Sequence, residues 1–521
     1  MSQVGLPRRQ ALAAALALPA LPALPAISAL TALPSLTALS ALSALSALVA
    51  SPSAAATPGV GVPPLPQPPR PLVLPAISQL SLANGLTVLV APRPGLPLLS
   101  LTLAVRAGPE ADPAGRPGVA EMLATLWPKG AVRAGRRVGA PELARQAEAL
   151  GSALDARSGW GASSLAMTVE SSRAPAALAL MADVLRRPLL AADELARARA
   201  QALDAWRVTL GSPGDLAPLV LRRAFWGDVP HGRVAPPAAV QRLDVADMQA
   251  LQAQWVRPDR VALVVAGDTT PEAALALARR LLGDWRAPAA PAPEPAGAAP
   301  RPLASPLVLI DQPGSGQSAV AVAAPFVASG AADRRIGLVA NAVLSGGYSA
   351  RLNQEVRIQR GLSYGVSGTA EAFASGGMVS AFAQTNHPTA AQVLGLLRGE
   401  IGRLADAPPG ADELAARQAT LAGSFARRLD TTAGLSALLV GQWAAGRPMA
   451  DLAGHVPQLL AVTPTQVQAF ARQHWQPGAL RAVVVGDLAA AGDSLAALAP
   501  QALRLGMAEL DLEQAGLRKP E

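Results

Sequence analysis

Only four histidines stand in 521 residues, at His231, His387, His455 and His474, and there is no cysteine. Thiolate zinc sites, disulfides and a catalytic thiol are therefore excluded, and any metal needs imidazole or carboxylate ligands. No two histidines are spaced to share one helical face. His231 precedes a glycine, His387 a proline, and His474 adjoins Trp475, contexts that read as turn or packing positions. A second group of chemistry-bearing residues is more compact. Tyr348 and Tyr364 are the only tyrosines, and Arg357 lies between them with Arg360 close by. Residues 350–360 read as a helix, Gly361 as its C-cap, and 363–366 as the start of a strand. That places Arg357 on the last helical turn and Tyr364 just past the cap, so a guanidinium and a phenol can share one cleft wall. A surface arginine and a strand tyrosine account for the same pattern.

The elements that would carry these residues occur twice. Trp255 and Pro258 lead into an apolar strand ending in Gly267-Asp268, and Trp475 and Pro477 lead into another ending in Gly486-Asp487. Gly118 and Gly337 each open a helical pattern. Both pairs share an offset of 219 residues (486 − 267 and 337 − 118), which argues for a duplicated unit. Within each copy a strand pair comes first, as at 86–90 and 99–105 after the turn at Asn84-Gly85. A helix, further strands such as 163–169, long amphipathic helices such as 192–208, and a closing strand at 261–266 follow. Strands grouped with helices without strict alternation predict an α+β fold of two homologous sandwich-like domains. The expected order is a domain at 76–286, an Ala/Pro linker at 287–305, a domain at 306–500 and a tail at 501–521.

The net charge of +8 comes almost wholly from arginine, since Lys129 and Lys519 are the only lysines. The arginines are scattered among alanine, leucine and acidic residues and form no aromatic-interleaved stripe, which argues against nucleic-acid binding. Arg8-Arg9 precede a long Ala/Leu/Pro/Ser run that ends near the small residues Ala54, Ala55 and Ala56. Residues 1–56 thus read as an export signal, of twin-arginine or Sec type, and the chain as periplasmic. A membrane anchor is the rival reading; Pro19, Pro22, Pro25 and Pro34 break the run and favour export, leaving membrane contact only through an uncleaved N-terminal segment. Residues 57–75 read as a proline-rich lead-in.

Several segments, taken in order, resemble the pitrilysin/insulinase family of zinc peptidases. They are the opening strand pair, the helix from Gly118 to Gly130, His231-Gly232, the Trp255 to Asp268 segment, and the stretches Gly346 to Leu352 and Arg357 to Tyr364. The resemblance covers roughly 76–500. It implies one clam-shell half of a peptidase chamber, completed by pairing with a second subunit. Family members carry His-x-x-Glu-His on the helix after Gly118, where two histidines one turn apart grip zinc and the glutamate serves as general base. Here those positions are Glu121, Ala124 and Thr125, and the region of the further glutamate ligand reads Ala200 to Asp204. The zinc positions are degenerate, so the chain is expected to hold no zinc. In active relatives an Arg and a Tyr spaced as Arg357 and Tyr364 hold the substrate backbone opposite the metal. The resemblance therefore implies a non-catalytic, substrate-gripping subunit that pairs with a zinc-bearing peptidase subunit. A scaffold without a peptidase role and an active metallopeptidase with an unrecognised site are the alternatives.

Overall fold

The computed structural model describes residues 72–294, 297–498, 500 and 502–520. The expected export signal at 1–56 and most of the lead-in lie outside the described residues. Two six-stranded sheets dominate the fold. In chain order the strands are β1 (Ser78–Ser81), β2 (Thr87–Pro92), β3 (Leu98–Val105), β4 (Gly130–Arg133), β5 (Arg136–Gly139), β6 (Asp155–Gly159), β7 (Ala162–Glu170) and β8 (Val261–Gly267). The second half contributes β9 (Leu307–Asp311), β10 (Ser318–Phe326), β11 (Val366–Phe373), β12 (Gly376–Thr385), β13 (Arg481–Gly486) and β14 (Leu503–Gly506). The first sheet runs β1-β2-β8-β3-β7-β6 and the second β14-β9-β13-β10-β12-β11, while β4 and β5 form a separate ribbon. Five strands of the two orders correspond; the sixth does not, since β1 is antiparallel to β2 while β14, from the far end of the chain, is parallel to β9.

Central strands are near-continuous apolar runs because both faces are covered. All seven residues of β8 are buried. One face of each sheet packs on its own helices. Leu101, Leu103 and Leu263 meet Leu123 and Leu178 in the first half, and Val320, Val484 and Leu309 meet Val343 and Leu397 in the second. The other face is covered by exchange. Helix Pro213–Trp226, from the first half, lays Leu216, Val220 and Phe225 on Ile310, Ala321 and Val483 of the second sheet. Its counterpart Thr432–Ala444 lays Leu435, Leu439 and Trp443 on Leu89, Val264 and Ala104 of the first. Polar contacts follow the exchange: Thr102 Oγ1 meets Ser436 Oγ at 2.9 Å, and Arg223 Nη2 donates to Glu513 O at 2.6 Å. The halves are thus interlocked.

One expected boundary changes. Within the expected tail at 501–521, the described residues 502–520 are packed on the fold, since β14 pairs in parallel with β9 and Leu505, Leu512 and Leu517 are buried under the exchanged helix. In the linker region Arg257, paired with Asp259, also donates to the carbonyls of Pro288, Ala290 and Pro291. No helix among the described residues is long and apolar enough to cross a membrane.

Candidate functional site

Helix Val119–Leu126 carries the three degenerate positions. Gly118 enters it at φ +95°, and an added Cβ there would lie 2.8 Å from Ala235 Cβ. Asp112 caps the helix by accepting from Gly118 N at 2.6 Å and Ala120 N at 2.7 Å. Glu121 and Thr125 are exposed on a cleft of about 340 Å³ that helix Ala192–Gly211 closes with Ala198, Gln201, Ala202 and Ala205. Ala124 is buried in the first core. The Thr125 hydroxyl donates back to Glu121 O at 2.9 Å. Asp204 points elsewhere, exposed and paired with Arg207. Within the expected stretch Ala200 to Asp204, residue patterns did not single out Gln201, which only the placement of the facing helix puts on the cleft wall. The donor set is one carboxylate, one hydroxyl already engaged and one amide, which does not fit a zinc ion. Among the described residues no group of three His, Cys, Asp or Glu side chains is placed to hold a metal. Restoring the ligands tests this geometry. The variant Glu121→His/Thr125→His/Gln201→Glu is expected to retain stoichiometric zinc through dialysis while the parent chain retains none. A metal-free variant of intact fold would show that the cleft walls are not at ligating distance.

The four histidines sit apart. His387 bridges Ser315 O and Ser318 Oγ at 2.7 and 2.8 Å, His474 meets Asp333 at 3.2 Å, and His455 packs on Phe425. His231 is buried among Trp160, Trp226 and Phe373.

The second group does come together. The helix begins at Arg351–Asn353 and widens into a π-type turn at Gln354–Ile358. Such widened turns recur at functional sites. Gly361, at φ +62°, closes it by donating to Arg357 O at 3.0 Å. Asn353 ties the helix to the next strand, donating to Val366 O and accepting from Val366 N. The result is a clamp. The Arg357 guanidinium lies 4.7 Å from the ring centre of Tyr364 and 4.7 Å from that of Tyr348. Sequence reasoning placed Tyr364 beside Arg357 but gave Tyr348 no part. Arg360, the other nearby arginine, turns away to Glu355 at 2.6 Å. Among the described residues Arg357 makes no hydrogen bond or ion pair, so stacking alone orients its five donors. It borders a cleft of about 500 Å³ shared with Gln317, Ser363 and Gln384. Tyr364 is 90% exposed and Tyr348 60% exposed. Two large exposed rings thus flank a cation whose N–H donors can reach carbonyl acceptors in the cleft. β11, which follows Tyr364, is the outermost strand of its sheet.

Titration of buried groups is lopsided. Burial pushes the Asp112 carboxyl up to about 7, against its two backbone donors, and burial pushes Glu110 up to about 7. Burial, with Arg222 nearby, lowers His231 to about 4; burial and a ring of arginines led by Arg335 lower His455 to about 4. His231 and Glu110, 3.9 Å apart, are therefore in contact without being an ion pair near neutrality. An acid with a raised folded pKa keeps a proton that the unfolded chain releases, so its contribution to stability falls as pH rises from about 4 to 7. A histidine with a lowered folded pKa does the reverse between about 4 and 6.5. In wild type these trends oppose one another. In Asp112→Asn the urea midpoint is expected to climb more steeply with pH over this window than in wild type. Parallel profiles would overturn the assignment.

Comparison with known proteins gives this architecture its class. A profile of the insulinase family (peptidase family M16) matches residues 88–228, and one of the peptidase M16 inactive domain matches 242–421. The crystal structure of a peptidase M16 inactive domain from Pseudomonas fluorescens superposes with a TM-score of 0.71 at 25% identity, covering 79% of this chain and 98% of that one. A protease from Helicobacter pylori shares the fold at TM-score 0.74 and 16% identity, over 79% of this chain and 100% of that one. An uncharacterized zinc protease of Mycobacterium tuberculosis is 28% identical over 250 residues, 47% of this chain and 56% of the relative. One from Streptomyces coelicolor is 25% identical over 307 residues, 57% of this chain and 66% of the relative. The chain thus spans a little over half to about two thirds of these curated relatives. It belongs to the insulinase family, peptidase family M16.

Proposed function

We propose that the chain is a non-catalytic subunit of a two-subunit zinc peptidase, exported to the periplasm, that grips peptide substrate for a zinc-bearing partner. The observation that carries this reading is the contrast between its two clefts. The zinc positions are replaced by Glu121, Ala124 and Thr125 against a wall rich in alanine, while Arg357 is held without any polar partner between Tyr348 and Tyr364. A family member built only as a scaffold has no need of an unpaired, oriented guanidinium in an open cleft. The guanidinium fork and the Tyr364 hydroxyl can donate to carbonyl oxygens of an extended peptide. Zinc and the attacking water belong to the partner in this scheme.

Mixing separately purified subunits tests it. The expected result is that peptide hydrolysis appears, or rises strongly, only when this chain is added to its zinc-bearing sibling. Partner activity unaffected by this chain would remove the proposal. Export is tested separately by fusing residues 1–75 to a reporter active only outside the cytoplasm. A fusion that is produced but stays inactive would remove that part.

A further inference from the structure

A second cavity, of about 470 Å³, lies where the halves interlock and takes no part in the scheme above. Its walls come from both halves: the ends of β3 and β8, the β6–β7 and β11–β12 turns, and the end of helix Thr432–Ala444. Gly161, Gly441 and Gly446 keep it open, and Trp160 and Phe373 supply an aromatic wall. Its buried polar atoms are conspicuously unpaired. His231 is 2% exposed and neither ring nitrogen has a hydrogen-bond partner. Arg260 is 5% exposed; its Nε meets no acceptor, and its Nη2 lies 2.9 Å from Glu294 but off the hydrogen-bonding direction. Ser375 Oγ is likewise unpartnered. Buried polar groups without partners are uncommon and call for an occupant.

Both signs of charge line the cavity, with Glu110 and Glu294 beside Arg106 and Arg260. Glu110 sits in the cavity with no cation at hydrogen-bonding distance, and the carbonyl end of helix Thr432–Ala444 adds a negative dipole end. Arg260 and Arg106 are the cationic donors: Arg106 gives Nη2 to Trp443 O at 2.7 Å, while its Nε, like that of Arg260, meets no acceptor. His231, neutral near pH 7, can accept at one ring nitrogen and donate at the other. An ammonium, a carboxylate, and between them one N–H and one C=O, complement this set. That is the outline of a dipeptide.

We propose that the cavity between the halves binds a zwitterionic dipeptide with an aromatic side chain. Its ammonium pairs with Glu110, its carboxylate with Arg260 and its peptide unit with His231, while its ring lies against Trp160 and Phe373.

Calorimetric titration of the chain alone with phenylalanylglycine tests this without the peptidase partner, so its failure leaves the Arg357 reading standing and the reverse also holds. Saturable one-to-one binding is expected. N-acetylation and C-amidation of the ligand should each weaken it by about tenfold or more, as losing one charged hydrogen-bond partner does. Glu110→Gln and Arg260→Met should each produce a similar loss, with Glu110→Gln no longer discriminating the acetylated ligand. Absence of saturable binding, or blocked dipeptides binding as well as the free one, would overturn the proposal. The blocked ligands keep the test decisive if Arg260→Met fails to fold.

Discussion

Arg357→Ala is expected to lower kcat/KM of the proposed two-subunit peptidase by about 100-fold, the loss that follows removal of one oriented donor to a developing oxyanion. The zinc content of the partner should not change. The size of the effect rests on orientation. Arginine carries a long, flexible side chain, and fixing it ordinarily costs rotamer entropy. Here two rings at 4.7 Å hold the guanidinium plane while every donor remains free. Stacking on each ring contributes about 0.5–1 kcal/mol at an exposed site. Tyr348→Ala should therefore loosen the clamp and cost several-fold in activity, whereas Tyr348→Phe, which keeps the ring, should be close to wild type. Tyr364→Phe separates the two roles of that residue, since it retains the stack and removes the hydroxyl donor. A fall of less than about threefold for Arg357→Ala would mean that the arginine packs against the tyrosines without touching substrate.

How much of this was legible beforehand follows from the range of the interactions. The duplication could be read because each copy repeats local signals: a tryptophan, a proline, and an apolar strand ending in Gly-Asp. The structure lays those signals on β8 and β13, both central strands. The Arg357–Tyr364 neighbourhood was legible too, because one helical turn and one glycine cap fix it locally. Tyr348 was visible as one of only two tyrosines, but its contact with Arg357 depends on how the Gly346-Gly347 turn folds back, which carries no periodic signal. Gln201 was hidden for another reason. An amide on a helix wall is legible only once the facing helix is placed. The inter-half cavity was beyond reach, since its residues run from Arg106 to Gly446 and meet only through tertiary packing.

The helix exchange is the largest departure from a reading of two adjacent domains, and it makes the strongest stability prediction. Phe225→Ala is expected to destabilise the protein by about 3–5 kcal/mol, the cost of emptying a fully packed aromatic site. Phe225 is 1% exposed and belongs to the first half by sequence, but it packs in the core of the second sheet. If the halves were independent domains, the change would weaken one of two transitions. Because Pro213–Trp226 covers the second sheet and Thr432–Ala444 covers the first, each half lacks one face of its core without the other. Unfolding should therefore remain a single transition shifted as a whole, with near-UV signals from Trp255 in the first half and Trp475 in the second lost together. Residues 72–286 expressed alone should expose Leu89, Val264 and Ala266 and aggregate, since a bare apolar sheet face has no other cover. Two separated transitions, or a soluble and cooperatively folded first half, would show that the exchanged helices decorate the sheets and are not required by them. The same interlock explains why the dipeptide-sized cavity can exist. A pocket built from both halves keeps its shape only if neither half moves without the other, and the crossed helices fix their relation on both sheets at once.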